Sequence, residues 1–150
     1  MRALKLVQHM KTNADRMSEG LIQKIRSSDR CSELVRRVPA EEQKRYALEI
    51  YRDLTDWLGV EADSPFKSRY VDLGIQRALQ GVPLDQVFWA VCIAREYLWE
   101  YIQQECLLDE PVEFWGGVML LRSLDRFFDR SFYFTLVGYQ KAGKTSSLHK

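Results

Sequence analysis

Neither sign of charge dominates this 150-residue chain, in which 22 Lys and Arg face 21 Asp and Glu. A clear basic excess is the electrostatic footprint of nucleic-acid binding, so its absence removes DNA and RNA from the expected partners. Histidine is nearly missing: only His9 and His149 occur, at opposite ends. Neither has a nucleophile or an orienting acid beside it, so no triad-like arrangement can be read. His9 lacks the acidic neighbour of a histidine-kinase phosphoacceptor, and mid-chain there is no histidine to serve as a proximal haem ligand. Cysteine is limited to Cys31, Cys92 and Cys106, an odd set without C-x-x-C spacing. They read as reduced thiols packed as small hydrophobes in a cytoplasmic protein, and no metal, cofactor or catalytic residue is expected. Long apolar runs are absent too. The most apolar stretch, 87–94, is closed by Asp85 and Gln86 before it and Arg95 and Glu96 after it, far short of the ~20 residues that cross a bilayer. Gln8, His9 and Lys11 interrupt the N-terminal stretch before it could form the core of a secretion signal. No membrane association is expected.

What is present is an amphipathic helical pattern. Hydrophobic residues make up 46% of the chain and charged ones 29%, a balance that places it among folded globular proteins. From Leu4 onward Val7, Met10, Ala14, Met17, Leu21 and Ile25 recur at three- and four-residue steps, which predicts one helix ending near Ser27-Ser28-Asp29. The scarce prolines mark helix starts, where a missing N–H is not needed. Pro39 with Glu41 and Glu42 behind it opens a second helix, buried through Ala47, Ile50, Leu54 and Leu58 and stopped near Gly59. Ser64-Pro65 opens a third, running to about Gln80 and closed by Gly81. Pro83 precedes a fourth over roughly 84–104, and Pro111 a fifth that continues through Phe128 and Phe132. Gly116-Gly117 in the fifth predict a close approach of another helix, because paired glycines otherwise only weaken a helix, by about 1 kcal/mol each. No segment alternates as a strand would. The expectation is an all-α, compact bundle of about five helices over residues 1–140, with 141–150 a flexible polar tail or truncated linker.

One motif conflicts with that fold. Gly138-Tyr139-Gln140-Lys141-Ala142-Gly143-Lys144-Thr145 satisfies the P-loop pattern G-x-x-x-x-G-K-[ST]. A working P-loop follows a buried strand and opens a helix, so that free backbone N–H groups cradle phosphates. Here it follows a long aromatic-rich helix, with only Ser146 onward behind it, and no second strand supplies an acidic magnesium partner. Gly138, Gly143, Lys144 and Thr145 are therefore read as a decoy.

Polar residues set in apolar surroundings are the better candidates. Arg77 lies within Leu73-Gly74-Ile75-Gln76-Arg77-Ala78-Leu79, Arg95 follows the apolar run of the fourth helix, and Asp125 and Asp129 sit one turn apart among Arg122, Arg126 and Arg130. A buried arginine must find a carboxylate or several carbonyls. Interhelical ion pairs or solvent exposure are the plain reading. Binding of an anionic ligand or a partner's carboxylate by Arg77 or Arg95, with Trp99 and Asp125 nearby in sequence pattern, is the functional one. Phe127-Phe128 and Phe132-Tyr133-Phe134 cannot all face one core, since neighbours on a helix point about 100° apart. Some are expected to line a homodimer interface or, less favoured, a small-molecule pocket.

The stretch Leu73-Gly74-Ile75-Gln76-Arg77-Ala78-Leu79-Gln80-Gly81-Val82-Pro83-Leu84-Asp85-Gln86-Val87 resembles the central signature of the RsbRD-type N-terminal domain family, named for RsbT co-antagonists of bacterial stress signalling. The segment 90–99, with Arg95 and Trp99, and the helix containing Leu124-Asp125-Arg126-Phe127-Phe128 also look like that family. The resemblance implies a non-catalytic helical input domain that precedes an output module, such as a STAS domain, a histidine kinase or a DNA-binding region. Its partner would be a protein of a signalling pathway. The alternatives are a structural oligomerisation domain without ligand and a nucleotide binder using the P-loop pattern.

Overall fold

The computed structural model describes the backbone of residues 2–60, 62–63, 66–105 and 114–148, and the side chains of 6–59, 62–63, 66–105 and 118–143. Seven α-helices account for nearly all of it: α1 (Arg2–Thr12), α2 (Ala14–Arg26), α3 (Ser32–Arg37), α4 (Ala40–Val60), α5 (Lys67–Leu79), α6 (Leu84–Gln104) and α7 (Phe114–Leu148), with one 3₁₀ turn at Asp29–Cys31. The fold is all-α, and no strand occurs among the described residues.

Two of the additional helices come from local breaks. The expected first helix is bent at Asn13, the only residue between α1 and α2. Its N–H still donates to the His9 carbonyl at 3.0 Å, and its own carbonyl accepts from Met17 N–H at 2.9 Å, so the helical bonding passes through the bend. The Asn13 side-chain amide explains the departure: Nδ2 donates to the His9 carbonyl at 2.9 Å and to the Tyr101 hydroxyl at 3.1 Å. α3 is six residues long in a polar stretch and is held from outside. Gln86 Oε1 of α6 accepts its Leu34 N–H at 2.9 Å, and buried Gln43 of α4 donates to the Val35 and Val38 carbonyls at 3.2 and 2.8 Å. Caps supplied by other helices offset the free ends that make so short a helix unstable alone.

Proline and glycine act much as their positions imply. Pro39 sits one residue ahead of α4, its carbonyl accepting from Glu42 and Gln43 N–H. Gly81 has φ +75° and ends α5: Gly81 N–H donates to the Ala78 carbonyl and Val82 N–H to that of Arg77. This pairing closes orphan carbonyls and needs a left-handed residue, which glycine adopts without steric cost. Ser64, Pro65 and Pro111 lie outside the described residues.

α5 and α7 run parallel, from Lys67 beside Phe134 to Gly74 beside Thr135 and Tyr139, and share the closest interface. A methyl placed at Gly74 would be driven into the Thr135 carbonyl, and one at Gly138 into the carbonyl of Val71, so here backbone meets backbone. The close approach expected at Gly116-Gly117 is a separate matter and lies outside the described residues. Around the α5–α7 contact, Trp57, Phe66, Tyr70 and Phe127 pack edge to face or tilted, with centroids 5.4–6.4 Å apart. The Trp57 indole N–H donates to both the carbonyl and the hydroxyl of Ser123 at 3.0 Å, tying α4 to α7.

Phe127 and Phe128 are both buried, at 0% and 1% exposure, as is Phe134, whereas Tyr133 is 57% exposed. As expected, these aromatics do not all face the core: Tyr133 turns outward while Phe127 and Phe128 both turn in. α7 has neighbours on several sides, α4, α5 and α6 among them, and an inward arc wider than 100° takes both rings. α7 itself continues to Leu148, past the end expected near residue 140.

Candidate functional site

Arg77 lies in the last turn of α5, where Tyr70, Gly74 and Arg77 recur at four and three residues and form the buried side of that helix; Gly74 meets α7, while the Arg77 side chain reaches toward α4. Its side chain is only 7% exposed. Nη1 donates to Glu42 Oε2 of α4 at 3.1 Å and to Gln80 Oε1 at 3.0 Å, while Gln80 Nε2 donates to the same Glu42 oxygen at 2.8 Å. One carboxylate oxygen therefore serves two donors. Hydrogen bonding from Gln80 and the Arg77 charge pull Glu42 below the usual carboxylate range, against the effect of desolvation. Burial lowers the pKa of Arg77 itself, and Glu42 counters that effect.

Two hollows flank this group. An internal cavity of about 30 Å³ is lined mainly by apolar side chains, among them Ile25, Leu34, Val87 and Val91, with Ser131 and Thr135 on its α7 side. A solvent-facing cleft of about 200 Å³ lies between α4 and α5 and carries three arginines (Arg45, Arg69, Arg77) against three acids (Glu42, Glu49, Asp72). Tyr46, Tyr70, Leu73 and Arg77 line both, so they form the wall between them.

The two tyrosine hydroxyls in that wall are buried and make no well-formed hydrogen bond. Burial pushes both phenols above their ordinary pKa, and the Asp53 charge adds to the shift at Tyr70. Asp53 is 2% exposed and pairs with Arg69. Its carboxyl and the Tyr70 hydroxyl lie near enough to influence each other, although Asp53 Oδ2 and that hydroxyl each lack a well-formed hydrogen bond. Desolvation raises the Asp53 pKa, and Arg69 and Tyr70 only partly oppose it.

A family model described as the RsbT co-antagonist protein rsbRD N-terminal domain matches residues 15–146. The chain belongs to the RsbRD N-terminal domain family. No curated protein and no solved structure matches it. In this RsbRD-type domain the matched span runs from the start of α2 nearly to the end of α7 and so contains every residue of the wall.

The other residues singled out from sequence lie elsewhere. Arg95 on α6 is about one-third exposed and faces Asp129 of α7 at 3.8 Å, rather than joining Arg77. Asp125, one turn before Asp129, and Trp99 are half-buried and line neither hollow. The P-loop pattern lies wholly within α7, where each amide is committed to the carbonyl four residues back and none is free to cradle a phosphate. Gly138 is packed against α5 and Gly143 is exposed, while the side chains of Lys144 and Thr145 lie outside the described residues. Cys31 is fully buried, and burial raises its thiol to about 11. Among the described residues no group of His, Cys, Asp and Glu is arranged to hold a metal ion, and no helix is long and apolar enough to cross a membrane.

Sequence reasoning missed Tyr46, Tyr70 and Asp53 as part of this group. Tyr46 follows Lys44-Arg45 and Asp53 follows Arg52, contexts that read as solvated helix surface. Only the pairing of α4 with α5, a tertiary fact, brings them together.

Proposed function

We propose that this chain is a non-catalytic signal-input domain of a bacterial stress-response regulator, working in the cytoplasm through a protein partner and as a homodimer. The observation that carries the reading is family membership across residues 15–146. The architecture supports it: two hollows share one wall of buried polar groups, a plausible receiving end for a signal, and that wall adjoins the rigid α5–α7 contact. At about 1.5 Å per residue, the 35-residue α7 is some 50 Å long. It is the natural element to carry a shift in packing to an output module.

A genetic comparison tests this. In cells lacking the native gene, the wild-type chain and a Lys144→Ala variant both restore normal induction of a stress-regulon reporter, whereas Gly138→Val, which disrupts the α5–α7 contact, does not. The reading falls if the reporter ignores the gene altogether. It also falls if ATP or GTP binds in the micromolar range and Lys144→Ala abolishes both binding and complementation.

A further inference from the structure

The wall between cleft and cavity carries hydrogen-bond donors with nothing to receive them. A guanidinium has five N–H groups, yet both hydrogen bonds of Arg77 leave from Nη1, so its Nε and Nη2 hydrogens have no partner among the described residues. Beside it, the Tyr46 hydroxyl is buried and unpartnered. The buried Tyr46 hydroxyl is costly to leave unpaired, and the remaining Arg77 donors, which are not among the buried unpaired atoms, are placed to meet an anion from the cleft by charge-assisted bonds. On one side of these donors lies an apolar hollow, and on the other a cleft open to solvent.

We propose that this wall binds a short-chain carboxylic acid. Its carboxylate takes the free N–H groups of Arg77 and the Tyr46 hydroxyl, and its alkyl chain enters the inner cavity between Leu34, Val87 and Val91. The cavity sets the chain length. At about 30 Å³ the cavity favours a short chain of a few carbons over a long one. The cleft is the entry route, and Arg45 and Arg69 at its rim offset the acids there. Binding itself does not depend on the signalling role; only its meaning as an input rests on that reading.

Butyrate is the probe, followed by thermal shift and by amide chemical-shift titration of the full chain, with acetate, 1-butanol and butylamine as controls at matched ionic strength. Butyrate is expected to bind in the high-micromolar to millimolar range, acetate more weakly, and the alcohol and amine not measurably. Tyr46→Phe, which keeps the ring, lowers butyrate affinity about tenfold. Ala90→Val, which intrudes on the inner cavity, weakens butyrate and leaves acetate unchanged. The proposal is overturned if butyrate acts no differently from chloride, which leaves the donors to ordered water. It is equally overturned if butanol binds as well as butyrate, or if neither variant alters binding. Should butyrate bind as described while the stress reporter ignores Tyr46→Phe, the site stands and the signalling reading fails. No binding, with a reporter that still depends on the gene, gives the reverse.

Discussion

Asp53 and Glu42 sit about three turns apart on α4, and their surroundings drive their carboxyls in opposite directions. Asp53 is raised by desolvation, so the folded state holds its proton more tightly than the unfolded chain does. Its contribution to stability is present at acid pH and is lost as pH rises through the elevated folded value. Glu42 is lowered by Gln80 and Arg77, so its contribution is present above the ordinary carboxylate range and is lost as pH falls. Thermal melts across pH will separate the two. Relative to the wild type, Asp53→Asn gains stability as pH rises from 4 toward neutrality (~pH 7, beyond ordinary carboxylate values). Glu42→Gln loses stability at neutral pH and converges on the wild type in acid. Parallel melting curves for wild type and Asp53→Asn would show that the buried carboxyl is not desolvated as described. At this same scale, Trp57→Phe removes a donor that serves both Ser123 acceptors in a buried setting. The expected cost is about 0.5–1.5 kcal/mol in urea denaturation, the net contribution of a typical hydrogen bond.

At the level of helices, the α5–α7 pair makes the sharpest prediction. Gly74→Ala or Gly138→Ala forces a methyl into the opposing backbone, which has no rotamer to yield. Overpacking a well-filled interior typically costs 1–3 kcal/mol, and a backbone collision belongs at or above about 3 kcal/mol. Gly59→Ala, with nothing near the added methyl, is expected to be neutral or slightly stabilising in the same assay. What the sequence made legible follows the same physics. α6 was readable to its ends because Pro83 fixes one and a continuous apolar face defines the rest. Gly81 was readable because a left-handed helix stop is a local demand. The bend at Asn13 was not, since the apolar spacing runs straight through it and the cause is a hydroxyl 88 residues away. α3 was hidden because its caps come from α4 and α6. Arg77 could be singled out as a cation needing a partner, but Tyr46, Tyr70 and Asp53 carry no local mark of burial. The close packing at Gly74 and Gly138 was not legible either, because these glycines are single and distant in sequence.

For the molecule as a whole, the open questions are association and the route by which a signal spreads. Phe88 is 43% exposed and stacks edge-on against Phe132 at 4.8 Å, an aromatic pair spanning α6 and α7 at the surface. We place the proposed homodimer contact there. Sedimentation velocity should give a dimer at micromolar concentration, and Phe88→Glu should shift it to monomer without loss of helicity. A wild-type monomer at high concentration would remove the dimer from the proposal. The family match and the all-α architecture stand independently of that outcome.

Where Gly74 and Gly138 bring α5 and α7 together, two rods lie main chain against main chain with no side chains between them to act as a cushion. Sliding along their length would drive neighbouring side chains into main chain, so the pair is expected to move as one body. Arg77 lies one turn from that seam. Under the proposed reading, a small displacement beside it would pass to α7 undamped, because nothing soft stands between the two rods to absorb it.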